Sequence, residues 1–230
     1  MNPKVKKFYW EEPKFKKEEV IWAGKVISEQ KESSPEEEQK AIEIFENWRA
    51  SHNYPMHIFE IRLKKYAGEL DPNCIVSQRL KRTPAIIYKL KRVYKNKPFG
   101  SLYQMQDIGG CRAVMSNLKL AKDLCEKRFM KGELKHKRAK YTDYLINPKK
   151  DGYRSLHLVY DYFSDKSRKQ YNGLKVEVQI RSKLQHLWAT AVETIDFITQ
   201  QAIKFGIGRP EWSEFFLLVS SAFSDIEGYP

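Results

Sequence analysis

The spacing of apolar residues changes along this chain, and that change is the strongest constraint on its fold. Up to about residue 70, apolar side chains such as Ile44, Phe45 and Trp48 recur every three or four positions, as in an amphipathic helix. Segments 155–163 and 174–180 instead alternate apolar and polar residues, as half-buried strands do. Helices that precede a sheet with further helices predict an α+β fold, in which a mixed β-sheet is flanked by helices and carries an N-terminal helical extension.

The boundaries of these elements follow from caps and breakers. Ser34 and Pro35 predict the start of a helix that runs to about residue 52, and Gly68 is expected to end a second helix over 56–67. Pro84 falls in the first turn of a helix over 85–93. The remaining expectations are an arm over 1–34, strands over 105–116, 141–146, 155–163 and 174–180, a lysine-rich connection over 131–140, and helices over 118–129, 183–203 and 212–223.

Composition limits the domain organisation and the cellular location that we expect. The 230 residues are 41% hydrophobic, which is enough for one sizeable core. We expect an N-terminal helical region over 1–70, a catalytic-size domain over 71–205 and a C-terminal helix over 206–230. Three cysteines without a Cys-x-x-Cys spacing argue against a disulfide framework or a zinc site. No signal peptide or membrane-spanning run occurs in the sequence, so we expect a cytoplasmic protein without a membrane partner.

The net charge of +13 favours a polyanionic partner such as a nucleotide, RNA or an anionic membrane, and it does not by itself choose among them. The sequence has neither a Gly-x-x-x-x-Gly-Lys-Ser/Thr loop nor a Gly-x-Gly-x-x-Gly turn, so side chains must hold any phosphates. Arg79, Lys81 and Lys89 lie around the helix start at Pro84 and suit that purpose. The alternative is an exposed basic helix face.

Two acidic motifs are candidates for chemistry. Asp107 and Arg112 flank two glycines in an apolar segment, where a ligand or another chain segment can approach closely; a β-bulge with a solvated aspartate is the alternative. Glu177, Gln179 and Arg181 alternate with apolar residues and therefore share one strand face. If that face lines a cleft opposite Asp107, two carboxylates and an arginine form a plausible magnesium and phosphate site. Otherwise the face is solvent-exposed.

A loop over 147–157, rich in Pro, Gly and Lys, lies between these motifs. Its Tyr153 follows a glycine and lies among cationic residues, which suits a platform for stacking a base. A surface-packed turn tyrosine is the alternative. His157 and His186 are candidates either for phosphate contacts or for the core.

The order and spacing of these motifs resemble the synthetase domain of the RelA/SpoT family over roughly residues 75–200. The matching stretches are Arg79-Leu80-Lys81 with Lys89, residues 107–112, Asp143-Tyr144 through His157, and 177–181 followed by 185–189. The resemblance implies a nucleotidyltransferase-like synthetase fold and a pyrophosphokinase that transfers the β,γ-pyrophosphate of ATP to a ribose 3′-hydroxyl. The chain has no His-Asp dipeptide of the family's hydrolase domain, so hydrolysis of the product is not expected.

The resemblance also implies roles for individual residues. Asp107 and Glu177 are the catalytic pair that holds Mg²⁺, and Glu177 activates the acceptor hydroxyl for attack on the β-phosphorus. The residues implied to bind ATP are Arg79 and Arg112 near the adenine and Lys81, Lys89 and Arg181 at the phosphates. The residues implied to bind the acceptor are Tyr153, which stacks on its base, together with Lys149, Arg154, His157, Gln179 and His186.

The acceptor depends on the branch of the family. Housekeeping members modify GDP or GTP to make the alarmone (p)ppGpp of the stringent response, whereas small toxins modify the 3′-terminal adenosine of tRNA and block translation. Residues 53–56, 75–92 and 189–194 resemble the toxin branch, which includes toxin–antitoxin fusions used against phage, and we therefore favour tRNA. An antitoxin, in trans or as a fused C-terminal region beyond the abrupt end at Pro230, is expected. The alternatives are an alarmone synthetase and a non-catalytic RNA-binding module.

Overall fold

Two compact units are built from interleaved stretches of the chain. The computed structural model describes residues 10–94, 101–199 and 209–229, except for the side chains of residues 93 and 94. The first unit comprises Met1–Ile58, Gln78–Gly110 and Asp161–Val176, and the second comprises Phe59–Ser77, Cys111–Tyr160 and Glu177–Pro230. Each unit therefore needs three separate parts of the sequence.

A five-stranded sheet has the strand order β1-β2-β5-β4-β3. The strands are β1 (Ile75–Leu80), β2 (Gly109–Met115), β3 (Lys137–Asp143), β4 (Leu156–Asp161) and β5 (Lys175–Ser182). The strand that comes last in the sequence thus lies at the centre, between β2 and β4. A mixed sheet flanked by helices confirms the α+β fold class predicted from the sequence.

Helices occupy most of the remaining described residues. They are α1 (Lys17–Ile27), α2 (Pro35–Ser51), α3 (Asn53–Leu70), α4 (Thr83–Lys89), α5 (Leu118–Asp123), α6 (Lys183–Thr199) and α7 (Pro210–Ile226). Wider turns continue α4 over Leu90–Tyr94 and α5 over Leu124–Met130, and short 3₁₀ turns form over Leu102–Gln104 and Lys169–Tyr171. Within these described parts of the chain, none of the helices is long and apolar enough to cross a membrane.

The predicted cap of α2 is confirmed. The side chain of Ser34 accepts a hydrogen bond from the Glu37 amide at 3.3 Å, and the Glu37 carboxylate accepts one from the Ser34 amide at 3.0 Å. Pro35 occupies the first helical position, where no amide hydrogen is needed. Such a reciprocal cap stabilises a helix by about 1 kcal/mol.

The predicted bounds are wrong at the N-terminal end in three respects. The expected arm contains α1, whose charged surface hid the helical apolar pattern of Val20, Ala23 and Val26. Gly68 does not end α3, which continues to Leu70, because a helix tolerates an interior glycine at a cost of only about 1 kcal/mol. Pro55 does not delay the start of α3 either, since proline is accepted in a first turn.

The sheet also differs from the prediction. Strand β2 begins at Gly109 instead of residue 105, so Asp107 lies in the segment just before the strand. Strand β3 begins at Lys137, inside the predicted lysine-rich connection, and ends at Asp143 instead of residue 146. This strand lies at the edge of the sheet and its first four residues are exposed, so it has no apolar alternation to recognise. The last residues of the helix predicted over 183–203 lie outside the described residues.

Aromatic residues form part of the core of the second unit. Phe59 and Phe129 lie with their ring centroids 5.4 and 6.2 Å from that of Tyr160, and all three residues are almost fully buried. The Tyr160 hydroxyl donates to the carbonyl of Phe129 at 2.7 Å, which satisfies its polar atom inside this core. The arrangement anchors α3 and the turns after α5 beside β4.

In the first unit, the end of α2 buries a histidine beside the start of β2. His52 is 1% exposed, and its Nδ1 lies 2.7 Å from the carbonyl oxygen of Trp48, so Nδ1 carries the hydrogen. Gly109 lies beside this residue, and an added Cβ would lie 3.4 Å from the Cβ of His52, which is an ordinary van der Waals distance. Another chain segment therefore packs beside Gly109, but not so closely that a glycine is required there.

The buried His52 predicts a loss of stability in mild acid. Burial lowers its pKa to about 4 despite the hydrogen bond to Trp48, whereas the unfolded side chain titrates near 6.5. The unfolded chain therefore binds more protons between these values, and the free energy of unfolding should fall by roughly 3 kcal/mol as the pH falls through that window. Urea titrations at pH 7 and pH 4.5 measure this change. His52→Phe, which cannot titrate, should have a flatter pH dependence, and equal slopes for the two proteins would contradict the assignment.

Candidate active site

Three of the predicted site residues meet in the first unit. Lys81 follows β1, Lys89 ends α4, and Asp107 precedes β2. The Nζ atom of Lys81 lies 3.0 Å from Asp107 Oδ2, and that of Lys89 lies 2.9 Å from Oδ1. A backbone hydrogen bond of 2.8 Å from the Lys81 amide to the Ile108 carbonyl aligns the two segments. One carboxylate thus holds two ammonium groups.

The charge on Asp107 is stabilised by these lysines. Burial by itself raises the pKa of this carboxyl group, but the charges of Lys89 and Lys81 and their hydrogen bonds outweigh burial, and the net pKa is lowered. All three side chains are between 18 and 29% exposed, so they remain partly accessible. The cluster is a pair of positive groups that one acid neutralises only in part.

In the second unit, the polar face of β5 continues onto β2. Val176, Val178 and Ile180 are fully buried, so Glu177 and Gln179 point to the opposite face of the strand, as the alternation predicts. Gln179 Nε2 donates to Glu177 Oε2 at 2.7 Å. The guanidinium of Arg112, on β2, donates to Gln179 Oε1 at 3.2 Å from both Nε and Nη2.

The same carboxylate is linked to β4 on its other side. His157 Nδ1 lies 2.9 Å from Glu177 Oε1, and the Tyr153 hydroxyl lies 2.8 Å from His157 Nε2. A carboxylate can only accept, so Nδ1 carries a hydrogen, and in a neutral imidazole Nε2 then accepts from the tyrosine. Burial raises the pKa of Tyr153, which keeps this hydroxyl protonated as the donor. A continuous hydrogen-bonded chain runs from Tyr153 through His157, Glu177 and Gln179 to Arg112.

Positively charged side chains lie near the hydrogen-bonded residues from Tyr153 to Arg112. Burial lowers the pKa of His186, and the nearby charges of Arg181 and Arg112 lower it further, which holds the imidazole neutral. The same two arginines act on Tyr153. Arg181 is only 2% exposed, so its charge lies inside the fold rather than in solvent.

The loop after β3 brings a cation onto the tyrosine. Lys149 Nζ lies 4.5 Å from the ring centroid of Tyr153 and 5.0 Å from that of Tyr144, and the Lys149 amide donates to the Tyr153 carbonyl at 3.1 Å. These are cation–π contacts, which orient the ammonium group over the aromatic faces. The half-buried ring and its cation are suited to a flat ligand that carries negative charge.

Two of the remaining predicted residues have other surroundings. Arg79 is exposed on β1. Arg154 donates from Nη1 to the Leu145 carbonyl at 2.9 Å and lines a small cavity together with Gln185, Trp188 and Glu227. No local pattern in the sequence indicates that α7 lines this cavity, because the contacting residues are far apart in the chain.

A comparison with known protein families identifies the family of this region. A family model described as the region found in RelA / SpoT proteins matches residues 78–197, slightly more than half of the chain. The chain belongs to the RelA/SpoT family. The matched region contains the Lys81–Lys89–Asp107 cluster and the whole hydrogen-bonded chain around Glu177, and it confirms the family predicted from the sequence.

Relatives agree with this RelA/SpoT assignment. The chain is 29% identical over 140 residues to GTP pyrophosphokinase YjbM of Bacillus subtilis, a match that covers 59% of this chain and 62% of that protein's length. The small alarmone synthetase 1 of B. subtilis bound to its product pppGpp has a TM-score of 0.63 at 22% identity, with 76% of this chain and 88% of that one covered. The small alarmone synthetase 2 of B. subtilis has a TM-score of 0.61 at 21% identity, with 80% and 92% covered. These structures share the fold.

The Asp107 cluster yields a prediction about ionisation. Replacing both Lys81 and Lys89 with Met removes the two cations but keeps the burial, so the pKa of Asp107 should move from below its ordinary value of 3.8 to above it. A pH titration followed by NMR of the aspartate carboxyl carbons measures the change. Lys91→Met is the matched control, because Lys91 pairs with Glu29. A titration of Asp107 at the same pH in the double variant and the wild type would refute the assigned cause.

Proposed function

We propose that this chain is a pyrophosphokinase that transfers the β,γ-pyrophosphate of ATP to a ribose 3′-hydroxyl, with Glu177 as the base. The observation that carries this proposal is the hydrogen-bonded chain Tyr153–His157–Glu177–Gln179–Arg112 inside the RelA/SpoT region. Its central carboxylate is fixed through both oxygens, which suits a group that must receive a proton at a defined position.

The neighbours of Glu177 support its role as a base. In the resting protein its oxygens accept hydrogen bonds from His157 and Gln179, and both donors are themselves held by a further partner. The acceptor hydroxyl gives its proton to this carboxylate as its oxygen attacks the β-phosphorus, and AMP leaves with the electrons of the broken bond. His157 then keeps the protonated carboxyl group oriented.

The Lys81–Lys89–Asp107 cluster is proposed to bind the phosphates of ATP. Phosphate oxygens offer the two ammonium groups a more highly charged partner than Asp107, so the lysines exchange their carboxylate for the nucleotide. The exchange leaves the oxygens of Asp107 available. Arg112 and Arg181 are proposed as further ATP contacts, as the resemblance implies, and Arg79 beside the adenine stays a prediction.

Asp107 and Glu177 are proposed to hold a magnesium ion, as the resemblance implies. In the described parts of the chain, no group of three or more His, Cys, Asp or Glu side chains forms a ready metal site. Magnesium is commonly held by one or two carboxylates together with substrate phosphates, and Asp107 and Glu177 are donors of that type. When bound, the ion would neutralise charge on the transferred group. Their joint role stays a prediction.

For the acceptor base we propose the ring of Tyr153. Stacking on an aromatic ring is tolerant of the base, and Lys149 above the ring adds a positive charge for a phosphate. His157 fixes the ring through its hydroxyl, and His186 and Gln179 are proposed to contact the acceptor sugar or phosphates. These features suit an adenosine at the end of tRNA as well as a guanine nucleotide.

The edge of the sheet favours tRNA as the acceptor. Lys137, Arg138 and Lys140 are exposed on the edge strand β3, next to β4, which carries His157. A free nucleotide has no phosphates to reach these cations at the edge of the sheet, whereas a tRNA acceptor stem has many. We therefore propose the 3′-terminal adenosine of tRNA, and with it a translation-blocking toxin that an antitoxin restrains.

The guanine-nucleotide alternative has its own support. YjbM is named a GTP pyrophosphokinase, and the small alarmone synthetase 1 holds pppGpp as its product. If this chain shares their acceptor, it makes (p)ppGpp. A non-catalytic RNA-binding module is the third possibility, but RNA binding alone does not explain why Glu177 is held by hydrogen bonds through both oxygens.

The base assignment is tested by transfer of label. Wild-type protein incubated with Mg²⁺ and ATP labelled on the γ-phosphate should label tRNA that has its terminal adenosine, and GDP and GTP are offered in parallel reactions. Glu177→Gln keeps the shape but cannot take the proton, so kcat should fall on the order of 10²–10⁴-fold while acceptor binding survives. Glu133→Gln, an exposed acid outside the site, is the control. Full activity in Glu177→Gln would refute the base.

The acceptor is tested separately at the basic edge. Lys137→Ala, Arg138→Ala and Lys140→Ala combined should raise KM for tRNA by about tenfold and flatten its salt dependence, because phosphate contacts are lost. KM for ATP should not change. Lys65→Ala, Lys119→Ala and Lys166→Ala combined remove the same charge from other exposed positions and serve as the control. Label only on GDP or GTP would overturn tRNA as the acceptor and leave pyrophosphate transfer standing.

A further inference from the structure

The C-terminal helix holds the loop that carries Tyr153. The hydroxyl of Ser220, on α7, donates to the carbonyl of Gly152 at 2.5 Å in a buried contact between residues 68 positions apart. Ser220 itself is 4% exposed. A second bond, from Trp188 Nε1 on α6 to the Phe216 carbonyl at 2.7 Å, fixes α7 against α6. The loop is therefore bonded to α7, and α7 is itself bonded to α6.

The backbone of the loop is pressed closely onto this helix. Gly152 has a φ of +89°, a backbone angle that residues with a side chain rarely adopt. An added Cβ would lie 3.0 Å from the Ser220 Cβ and 3.4 Å from both the Leu217 Cα and the Phe216 carbonyl oxygen. The Gly152 amide also donates to the Lys149 carbonyl at 2.8 Å, closing the turn. Position 152 thus requires glycine for both conformation and space.

The position of the tyrosine ring follows from this contact. Tyr153 comes directly after Gly152 and packs against the cluster formed by Trp188, Ala189, Val192 and Phe216. Its hydroxyl is in turn bonded to His157. A shift of the Gly152 carbonyl therefore moves the ring and its Lys149 partner.

A hydrogen bond adds to the close packing of the loop at this point. A small cavity borders the same contact and is lined by Arg154, Gln185, Ser224 and Glu227 in addition to Gly152 and Ser220. The hydroxyl of Ser220 adds a directional restraint that van der Waals contact does not supply.

We propose that Ser220 is a positioning residue for the acceptor: through its bond to the Gly152 carbonyl it sets the place of the Tyr153 ring on which the acceptor base stacks. The proposal rests on the proposed function, because it takes Tyr153 as the stacking platform. Ser220 touches no reacting atom, and it acts on acceptor binding rather than on the proton transfer at Glu177.

Two neighbouring serines offer a matched test. Ser220→Ala removes one oxygen from the buried contact, whereas Ser221→Ala removes the same atom from an exposed residue whose hydroxyl bonds to Leu217 of its own helix at 3.1 Å. We expect Ser220→Ala to raise KM for the acceptor about fivefold, as for the loss of one buried hydrogen bond, with kcat and KM for ATP within about twofold of the wild type. Ser221→Ala should match the wild type, and Gly152→Ala should exceed the effect of Ser220→Ala.

Hydrogen exchange of the amides of residues 149–153 separates this proposal from the proposed function. Faster exchange in Ser220→Ala, together with the selective rise in acceptor KM, supports the positioning role. Wild-type exchange and KM, or an equal loss of kcat with every substrate and a lowered melting temperature, overturns it. If the wild-type protein labels no acceptor at all, pyrophosphate transfer itself fails, and the exchange rates alone decide whether Ser220 holds the loop.

Discussion

Burial of Val176, Val178 and Ile180 on one side of β5 is the constraint on which the rest of the site depends. Successive side chains of a strand point to opposite faces. Burial of these three side chains in the core therefore places Glu177 and Gln179 on the other face. Because β5 lies between β2 and β4, that face has a strand on each side to supply partners. Arg112 comes from one neighbour and His157 from the other.

Charge is handled in the same manner in each compact unit. A protein with a net charge of +13 that gathers lysines and arginines around a site must offset their mutual repulsion when no anionic ligand is bound. Asp107 does so for Lys81 and Lys89, and Glu177 belongs to a network that ends at Arg112. The carboxylates therefore serve the protein as counter-charges to these cations.

Sequence reasoning succeeded where the signal is local. The Ser34 cap, the alternation of β5 and the α+β class all follow from neighbouring residues, and the motif series identified the family. It failed at β3, where an exposed edge strand has little hydrophobic pattern, and at α1, where charges mask a short apolar stripe. It also could not foresee the contact of Ser220 with Gly152 or the pairing of both lysines with Asp107, because such pairs are made by the fold and leave no mark on spacing.

The late arrival of β5 has a consequence for synthesis of the protein. During translation, β2 and β4 are made before β5, which lies between them and pairs with both. Until β5 is made, each of the two strands exposes an unpaired edge. A nascent chain that stops before residue 175 also lacks the polar face that carries Glu177. Fragments that end before β5 thus keep two unpaired strand edges and are prone to aggregate, and the face that carries Glu177 forms only once most of the chain has been made.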